Sequence, residues 1–223
     1  RFMVCVIPAF ILVIVESLKQ HVMAAFLIVG TLVGWSHAAP LSLTHRAGIE
    51  DIDMLASHLF IPVQDWEGVG KELASDLPAG SDVLIATTAA GAIPFHSKLP
   101  TLDMLGLTDS QVAREGVLFE AQRNHTRIAS MEIMVERGVH LMLGQPWLRR
   151  PHPQRNYRFA SLRGFNVFKK LSRSQLPETS RIVEIPLAPA GGGERVLVVL
   201  YLKPHPDVDA LIKRGAWRVF PIL

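Results

Sequence analysis

The chain has 223 residues, of which 49% are hydrophobic and 19% are charged, and its formal net charge is +3 at pH 7. Its mean hydropathy is +0.26, and this composition excludes an intrinsically disordered chain and a collagen-like or low-complexity polymer. Cys5 is the only cysteine, so an intrachain disulfide and a multi-cysteine metal site are excluded as well.

The first 40 residues are predicted to form two transmembrane helices in a hairpin. Residues 2–15 and 22–35 carry no charge, and only the short polar stretch 16–21 separates them. Each run of 14 residues gives about 21 Å of helix, whereas the hydrocarbon core of a bilayer is about 30 Å thick. Each helix is therefore expected to use flanking residues to complete its span.

A secretory signal peptide is the alternative interpretation of this region. In that case Lys19 is the basic region, residues 22–35 are the apolar core and Ser36-His37-Ala38 is the cleavage site. The apolar run at 2–15 favours the hairpin, because a signal peptide needs no earlier hydrophobic helix. The charges between the two runs are too few to fix the orientation in the membrane.

From residue 41 onward, predicted strands alternate with predicted helices. Asp65 is a candidate N-cap for a helix that ends near Leu77, although Gly68 and Gly70 weaken its helical propensity. The further predicted elements are strands at 82–87 and 99–105, a helix from 108 to 116, a helix that opens at 124 or 126 and ends at 138, a strand at 139–143, an antiparallel pair at 181–187 and 195–203, a helix at 207–214 and a strand at 217–220. This pattern predicts a Rossmann-like α/β domain with a mixed sheet over residues 41–223.

Charge is distributed unevenly along this second region. Residues 41–120 hold four basic and twelve acidic residues, whereas residues 121–223 hold seventeen basic and seven acidic residues. The basic-aromatic segment, residues 147–173, has eight basic residues, five aromatic residues and no acidic residue. The candidates for contact with phosphate or lipid headgroups are Arg149, Arg150, Arg155 and Arg158.

The basic-aromatic segment has two other interpretations, and the first is favoured over the second. The segment can pair within the fold against the acidic first half, which needs no ligand. Nucleic-acid binding is not expected, because no groove-reading motif is present. The sequence also lacks phosphate-loop, dinucleotide-binding, zinc-protease and serine-hydrolase motifs, and none of its nine histidines pairs with another at one helical turn. We therefore predict no cofactor and no metal.

The most distinctive segment lies at residues 89–109. A strand is predicted to end at Thr88, and the next strand is expected to bring Asp103 to the same sheet edge as His96. Ligands of α/β sheets bind outside the carboxyl ends of strands, so His96, Asp103 and Asp109 are candidate ligand-binding residues. The alternative is structural: Asp103 holds neighbouring backbone amides, and Asp109 stabilises the start of a helix.

Three motifs carry a family resemblance across residues 82–145. Residues 89–97 read AAGAIPFHS, residues 99–109 read LPTLDMLGLTD, and residues 136–143 read ERGVHLML. Together they resemble the C-terminal extracytoplasmic domain of bacterial polytopic, C-type glycosyltransferases, which use polyprenyl-phosphate-linked sugars. The opening Arg1-Phe2 with Pro8 also resembles the start of a late membrane span in such proteins.

The resemblance implies an accessory role for this chain within an integral-membrane glycosyltransferase. The catalytic carboxylate of such enzymes lies in their first extracytoplasmic loop, so it is expected upstream of residue 1. The implied partners are membrane lipid, a polyprenyl-phosphate sugar and a cell-envelope glycan acceptor. The implied location is the plasma membrane, with the C-terminal domain outside the cytoplasm. A non-enzymatic, membrane-anchored or secreted binding module is the alternative function.

Reversing the charge of Arg149, Arg150 and Arg155 to Glu tests the phosphate hypothesis. If the basic-aromatic segment contacts anionic headgroups, the triple variant should bind anionic liposomes more weakly than the unmodified chain. The difference should shrink as salt is added, because screening weakens exposed charge interactions. Co-sedimentation with liposomes measures this, and unchanged binding to anionic liposomes would end the hypothesis.

Overall fold

The computed structural model describes residues 16, 22–43, 64–122, 125–151, 157, 173–188 and 193–222. The chain divides into two compact units, Arg1–Met54 and Leu55–Leu223. The described helix of the first unit is α1, Val22–Leu43.

The prediction of two N-terminal transmembrane helices is wrong. Over the residues that the structure describes, no helix combines the length and the apolar content that crossing a membrane requires. The physical reason lies in α1, whose uncharged apolar run at 22–35 covers only about 21 Å before Ser36 and His37 interrupt it. The other predicted span, residues 2–15, lies outside the described residues.

The second unit is built on a mixed sheet. Its strands are β1 (Ile85–Thr87), β2 (Thr101–Asp103), β5 (Leu141–Gly144), β6 (Leu148–Arg149), β7 (Arg181–Leu187), β8 (Arg195–Tyr201) and β9 (Arg218–Phe220). The strand order is β2-β1-β5-β8-β7-β9, and β6 pairs with β8 outside this path. Strands β2, β1 and β5 are mutually parallel, whereas β8 is antiparallel to both β5 and β7. The predicted mixed α/β sheet is therefore present, and its adjacent parallel strands are β2, β1 and β5.

Five helices accompany the sheet in the described part of this unit. They are α2 (Trp66–Asp76), α3 (Ala92–Ser97), α4 (Ser110–Glu115), α5 (Met131–Glu136) and α6 (Pro206–Lys213). A short 3-10 helix, Arg173–Gln175, precedes β7. The predicted antiparallel pair at 181–187 and 195–203 and the predicted helix at 207–214 are confirmed within a residue or two.

The sheet is buried on both faces, and β8 shows this most directly. All seven residues of β8 are buried. Val196, Val198 and Leu200 belong to one hydrophobic core, whereas Leu197 and Val199 belong to the other. Alternate side chains of a strand point to opposite faces, so β8 contributes to both cores at once. Residues of α5 pack in the first core and residues of α2, α3 and α6 pack in the second.

The two glycines that weaken α2 have local structural roles. Asp65 is the N-cap and accepts a hydrogen bond from Gly68 N at 3.0 Å. A Cβ atom on Gly68 would lie 2.5 Å from the Asp65 carboxylate, and one on Gly70 would lie 2.8 Å from His96 Cβ. Gly68 thus leaves space for the capping carboxylate, and Gly70 allows α3 to approach α2 closely.

The structure differs from the sequence prediction between residues 117 and 130. Strands β3 (Val117–Gln122) and β4 (His125–Ile128) form a separate antiparallel pair where the sequence predicts a helix opening at 124 or 126. The helix α5 begins only after Ser130, whose hydroxyl accepts a hydrogen bond from Ile133 N. The N-cap at Ser130, four residues after 126, therefore sets the start of this helix, because residues 125–128 pair with β3 instead.

A buried carboxylate joins the basic-aromatic segment to the sheet. Glu184, in the middle of β7, is 0% exposed. It accepts a hydrogen bond from the hydroxyl of Tyr157 and forms an ion pair with Arg218 of β9, with 2.6 Å between Oε2 and Nη2. The ring of Tyr157 packs edge-on against Phe220, with centroids 5.4 Å apart. One carboxylate therefore fixes both a strand of the sheet and the middle of the basic-aromatic segment.

Replacing Glu184 with Ala should lower the free energy of unfolding by about 3 kcal/mol, because it leaves the buried Tyr157 hydroxyl without its acceptor and the half-exposed Arg218 without its ion-pair partner. Tyr157→Phe should cost about 1 kcal/mol, since it removes one hydrogen bond and keeps the ring. Urea unfolding followed by circular dichroism measures both changes. Glu194→Ala, an exposed residue before β8, is the matched control and should stay within about 0.5 kcal/mol of the unmodified chain.

Candidate functional site

The candidate site lies where the parallel strands β1, β2 and β5 end, which we name the carboxyl edge. The loops after these strands begin at Thr88, Met104 and Gln145. Because β1 lies between β2 and β5, the three loops are neighbours. This edge is the common ligand position of α/β sheets.

Hydrogen bonds join the carboxyl end of β1 to the carboxyl end of β5. The carbonyl oxygen of Gly144 accepts bonds from Thr88 N at 2.9 Å, from Thr87 Oγ1 at 3.1 Å and from Thr88 Oγ1 at 3.3 Å. Gly144 has a positive φ of 62°, a conformation that glycine adopts without a steric cost. Three hydrogen bonds to one carbonyl oxygen thus join the carboxyl ends of β1 and β5.

Asp103 organises the loop after β2. It is 2% exposed, and its carboxylate accepts hydrogen bonds from Leu105 N at 3.0 Å, Thr108 N at 2.7 Å and Thr108 Oγ1 at 3.1 Å. In the same loop, a Cβ atom on Gly106 would lie 2.7 Å from Ala113 N, and its φ is +66°. The loop therefore needs both the aspartate and the glycine of the 99–109 motif.

Asp109 joins this loop to the third motif. It is the N-cap of α4 and accepts hydrogen bonds from Gln111 N and Val112 N at 3.0 and 3.1 Å. Its other oxygen, Oδ2, forms an ion pair with Arg137 at 3.2 Å. The sequence predicts that this helix begins at 108, whereas α4 begins at Ser110 with Asp109 as its N-cap. The Thr108 hydroxyl is bound to Asp103 instead of capping the helix.

His96 does not join the two carboxylates. It lies in the last turn of α3, where its ring contacts the ring of Phe95 edge-on at 5.0 Å. No contact between His96 and Asp103 is found among the described residues, because α3 carries the chain back toward the start of β2. The ligand-binding roles of His96, Asp103 and Asp109 stay predictions, while their contacts within the fold account for both aspartates.

Two apolar side chains remain exposed at the carboxyl edge. Leu107, in the loop after β2, is 38% exposed, and Trp147, in the loop after β5, is 42% exposed. Half-buried Thr88 and exposed Gly91 lie in the loop between them. The carboxyl edge therefore carries two exposed apolar side chains in loops that flank backbone and hydroxyl groups able to form hydrogen bonds.

The opposite edge of the sheet, which we name the amino edge, carries an Asp-His-His cluster that the sequence analysis missed. Asp82 precedes β1, His140 precedes β5, and His205 follows β8. His205 Nε2 lies 2.8 Å from Asp82 Oδ1, and the two imidazole rings contact each other edge-on with centroids 4.7 Å apart. The sequence feature that pointed to His205 was the proline on each side of it, because two prolines indicate a rigid loop.

The hydrogen bonds of this cluster assign its protons. His205 Nδ1 accepts a bond from Asp207 N at 3.2 Å, so Nε2 donates to Asp82. His140 Nδ1 accepts a bond from Leu84 N at 2.9 Å. In each ring Nδ1 accepts a hydrogen bond from a backbone amide, so this nitrogen is not available to accept a proton from a substrate. The cluster supports the fold: His205 is also the N-cap of α6.

Electrostatics in the cluster follow from burial and neighbouring charge. Burial, then the charge of His205 and of Lys203, lowers the pKa of His140 below its usual 6.5. The hydrogen bond from His205 lowers the pKa of exposed Asp82. Burial raises the pKa of Tyr201, whose hydroxyl donates to Asp209 Oδ1 at 2.8 Å. Among the described residues, no group of three or more His, Cys, Asp or Glu side chains is arranged to hold a metal.

The four arginines proposed for phosphate contact fall in different parts of the chain. Arg149 lies in β6, opposite Val196 of β8, and Arg150 follows it in an exposed position. Arg155 and Arg158 lie outside the described residues. Their contact with lipid or phosphate stays a prediction.

The family model for a domain of unknown function (DUF8728) matches residues 60–186, more than half of the chain. The chain belongs to this family. The DUF8728 match includes the carboxyl-edge loops, Asp82 and His140. It ends within β7, so His205 lies outside the matched residues. No curated protein and no solved structure matches this chain with significance.

Replacing His140 with Asn should reduce the loss of stability of the DUF8728 domain in mild acid. A histidine whose pKa is lower in the folded chain binds its proton more readily when unfolded, so stability falls as pH drops below about 6.5. Asn can still accept the Leu84 amide bond through Oδ1 but does not titrate. Urea unfolding midpoints of the unmodified chain and of His140→Asn at pH 7.5 and 5.5 measure the effect. If the midpoint falls by the same amount in both proteins between the two pH values, the role assigned to His140 is contradicted.

Proposed function

We propose that this domain binds a glycan at its carboxyl edge and acts as the accessory domain of a glycosyltransferase that uses a polyprenyl-phosphate-linked sugar. The acceptor in this proposal is a cell-envelope glycan, and the domain works on the outer side of the plasma membrane. The observation that carries the proposal is that Trp147 and Leu107 are exposed in two loops of this edge, on either side of the hydrogen-bonded loop after β1.

The chemistry of the edge suits a sugar. A pyranose ring has an apolar C–H face and a rim of hydroxyl groups, and an indole ring offers a broad apolar face with one polar N–H group. The loop at Thr88 and Gly91 supplies backbone and hydroxyl groups for the rim. Ligand sites commonly combine such an apolar surface with a few fixed polar groups.

Binding is a better interpretation of this edge than catalysis. Sugar transfer requires a carboxylate that is free to act as a base or a nucleophile. The oxygens of Asp103 and Asp109 are bound to backbone amides, the Thr108 hydroxyl and Arg137 instead. The proposed role is therefore to hold the acceptor, while the reacting groups belong to another part of the enzyme.

The family resemblance supports the same assignment. The residues that carry it, within 82–145, form the strands β1, β2 and β5 and the loops of the carboxyl edge. Its motifs are linked in space, since Asp109 of the second motif pairs with Arg137 of the third.

A glycan array of bacterial cell-envelope oligosaccharides, followed by calorimetric titration of the strongest binder, tests the proposal. Trp147→Ala should weaken binding about tenfold, because it removes the aromatic surface. Leu107→Ala should weaken it by a smaller factor, since less apolar area is lost.

The matched control is Leu118→Ala, which removes an equally simple apolar side chain from β3, where it is 63% exposed. This variant should bind as the unmodified chain does. An array with no bound oligosaccharide, or equal losses in the Leu107 and Leu118 variants, would contradict glycan binding at the carboxyl edge.

A further inference from the structure

A cavity of about 660 Å³ opens at the amino edge of the sheet. It lies between the 3-10 helix, the loop that leads into β7 and the residues that follow β9. Its lining residues are Arg173, Ser174, Leu176, Pro177, Glu178, Ser180, Arg181, Pro221 and Ile222. The volume falls within the range of small-molecule sites, about 300–1,000 Å³.

Two arginines give the cavity a positive character. Arg173 Nη2 donates to Ile222 O at 3.1 Å, and Arg181 Nη1 donates to the carbonyl oxygens of Glu178 and Ser180 at 3.2 and 2.9 Å. These bonds hold each guanidinium through one terminal nitrogen and do not neutralise its charge. Within the described part of the chain, no carboxylate lies at ion-pair distance from either group, so further N–H donors are available to an anion.

Ser180 is the second sign of a ligand. It lines the cavity, is 5% exposed, and its Oγ has no hydrogen-bond partner among the described residues. A buried hydroxyl without a partner is costly. An anionic oxygen in the cavity would accept that hydrogen bond.

We propose that this cavity binds an organic phosphate, with the phosphate held by Arg173, Arg181 and Ser180. A phosphate monoester carries a charge of about −1.5 to −2 and three acceptor oxygens, which suits two guanidinium groups better than a carboxylate does. The organic part of the ligand packs on the apolar side chains of the lining, which are Leu176, Pro177, Pro221 and Ile222.

This site is independent of the proposed glycan function. The cavity lies at the amino edge, because β7 begins at Arg181 and runs in the same direction as β5. The glycan site lies at the opposite edge, so either proposal can fail without the other.

Calorimetric titration of the full chain with phenyl phosphate at low salt tests the proposal. We expect saturable binding that is tighter than for inorganic phosphate, because the ring packs on the apolar lining. Arg173→Gln and Arg181→Gln should each weaken binding about tenfold or more, as expected for losing a charge-assisted hydrogen bond. Arg214→Gln, at the exposed end of α6, makes the same charge change away from the cavity and should leave binding unchanged.

Two milder variants keep the test valid if an arginine variant fails to fold. Ser180→Ala should weaken phenyl phosphate binding severalfold without lowering the melting temperature, because its hydroxyl bonds no described residue. Glu178→Gln should tighten binding, since it removes a negative charge from the lining. No binding of phenyl phosphate, benzoate binding as tight as phenyl phosphate, or equal losses in Arg181→Gln and Arg214→Gln would each overturn the assignment.

Discussion

The burial of both faces of the central strand β8 is the constraint on which the rest of the domain depends. Its side chains alternate between two hydrophobic cores, and its backbone pairs with β5, β6 and β7. A strand of this kind must be covered on both sides, which is why helices lie on each face. The loops between strands and helices therefore lie at the carboxyl edge and the amino edge of the sheet. Both proposed sites lie at these two edges.

The residues that carry the family resemblance are occupied by the fold itself. Asp103 holds a loop, Gly106 allows that loop to approach α4, and Asp109 caps α4 while pairing with Arg137. These contacts give the motif residues structural roles within the domain. The exposed side chain of Trp147 lies outside these motifs, so the proposed glycan site depends on a residue that the resemblance does not include.

The sequence predicted the elements whose signals are local. The N-cap at Asp65, the paired strands at 181–187 and 195–203, and the helix after His205 all have clear hydrophobic patterns or caps, and the structure confirms them. It could not predict features that depend on distant residues, such as the contact of His205 with Asp82, 123 positions away. The same holds for the cavity, because its two arginines and Ile222 meet only through the pairing of β7 with β9.

The outermost strands described for the sheet, β2 and β9, have three residues each. A free strand edge is a template on which other chains can aggregate, and its danger grows with its length. Edges this short offer few unpaired amides and carbonyls to a neighbouring molecule. The short edge strands therefore reduce the tendency of two copies of this domain to aggregate by pairing their sheets edge to edge.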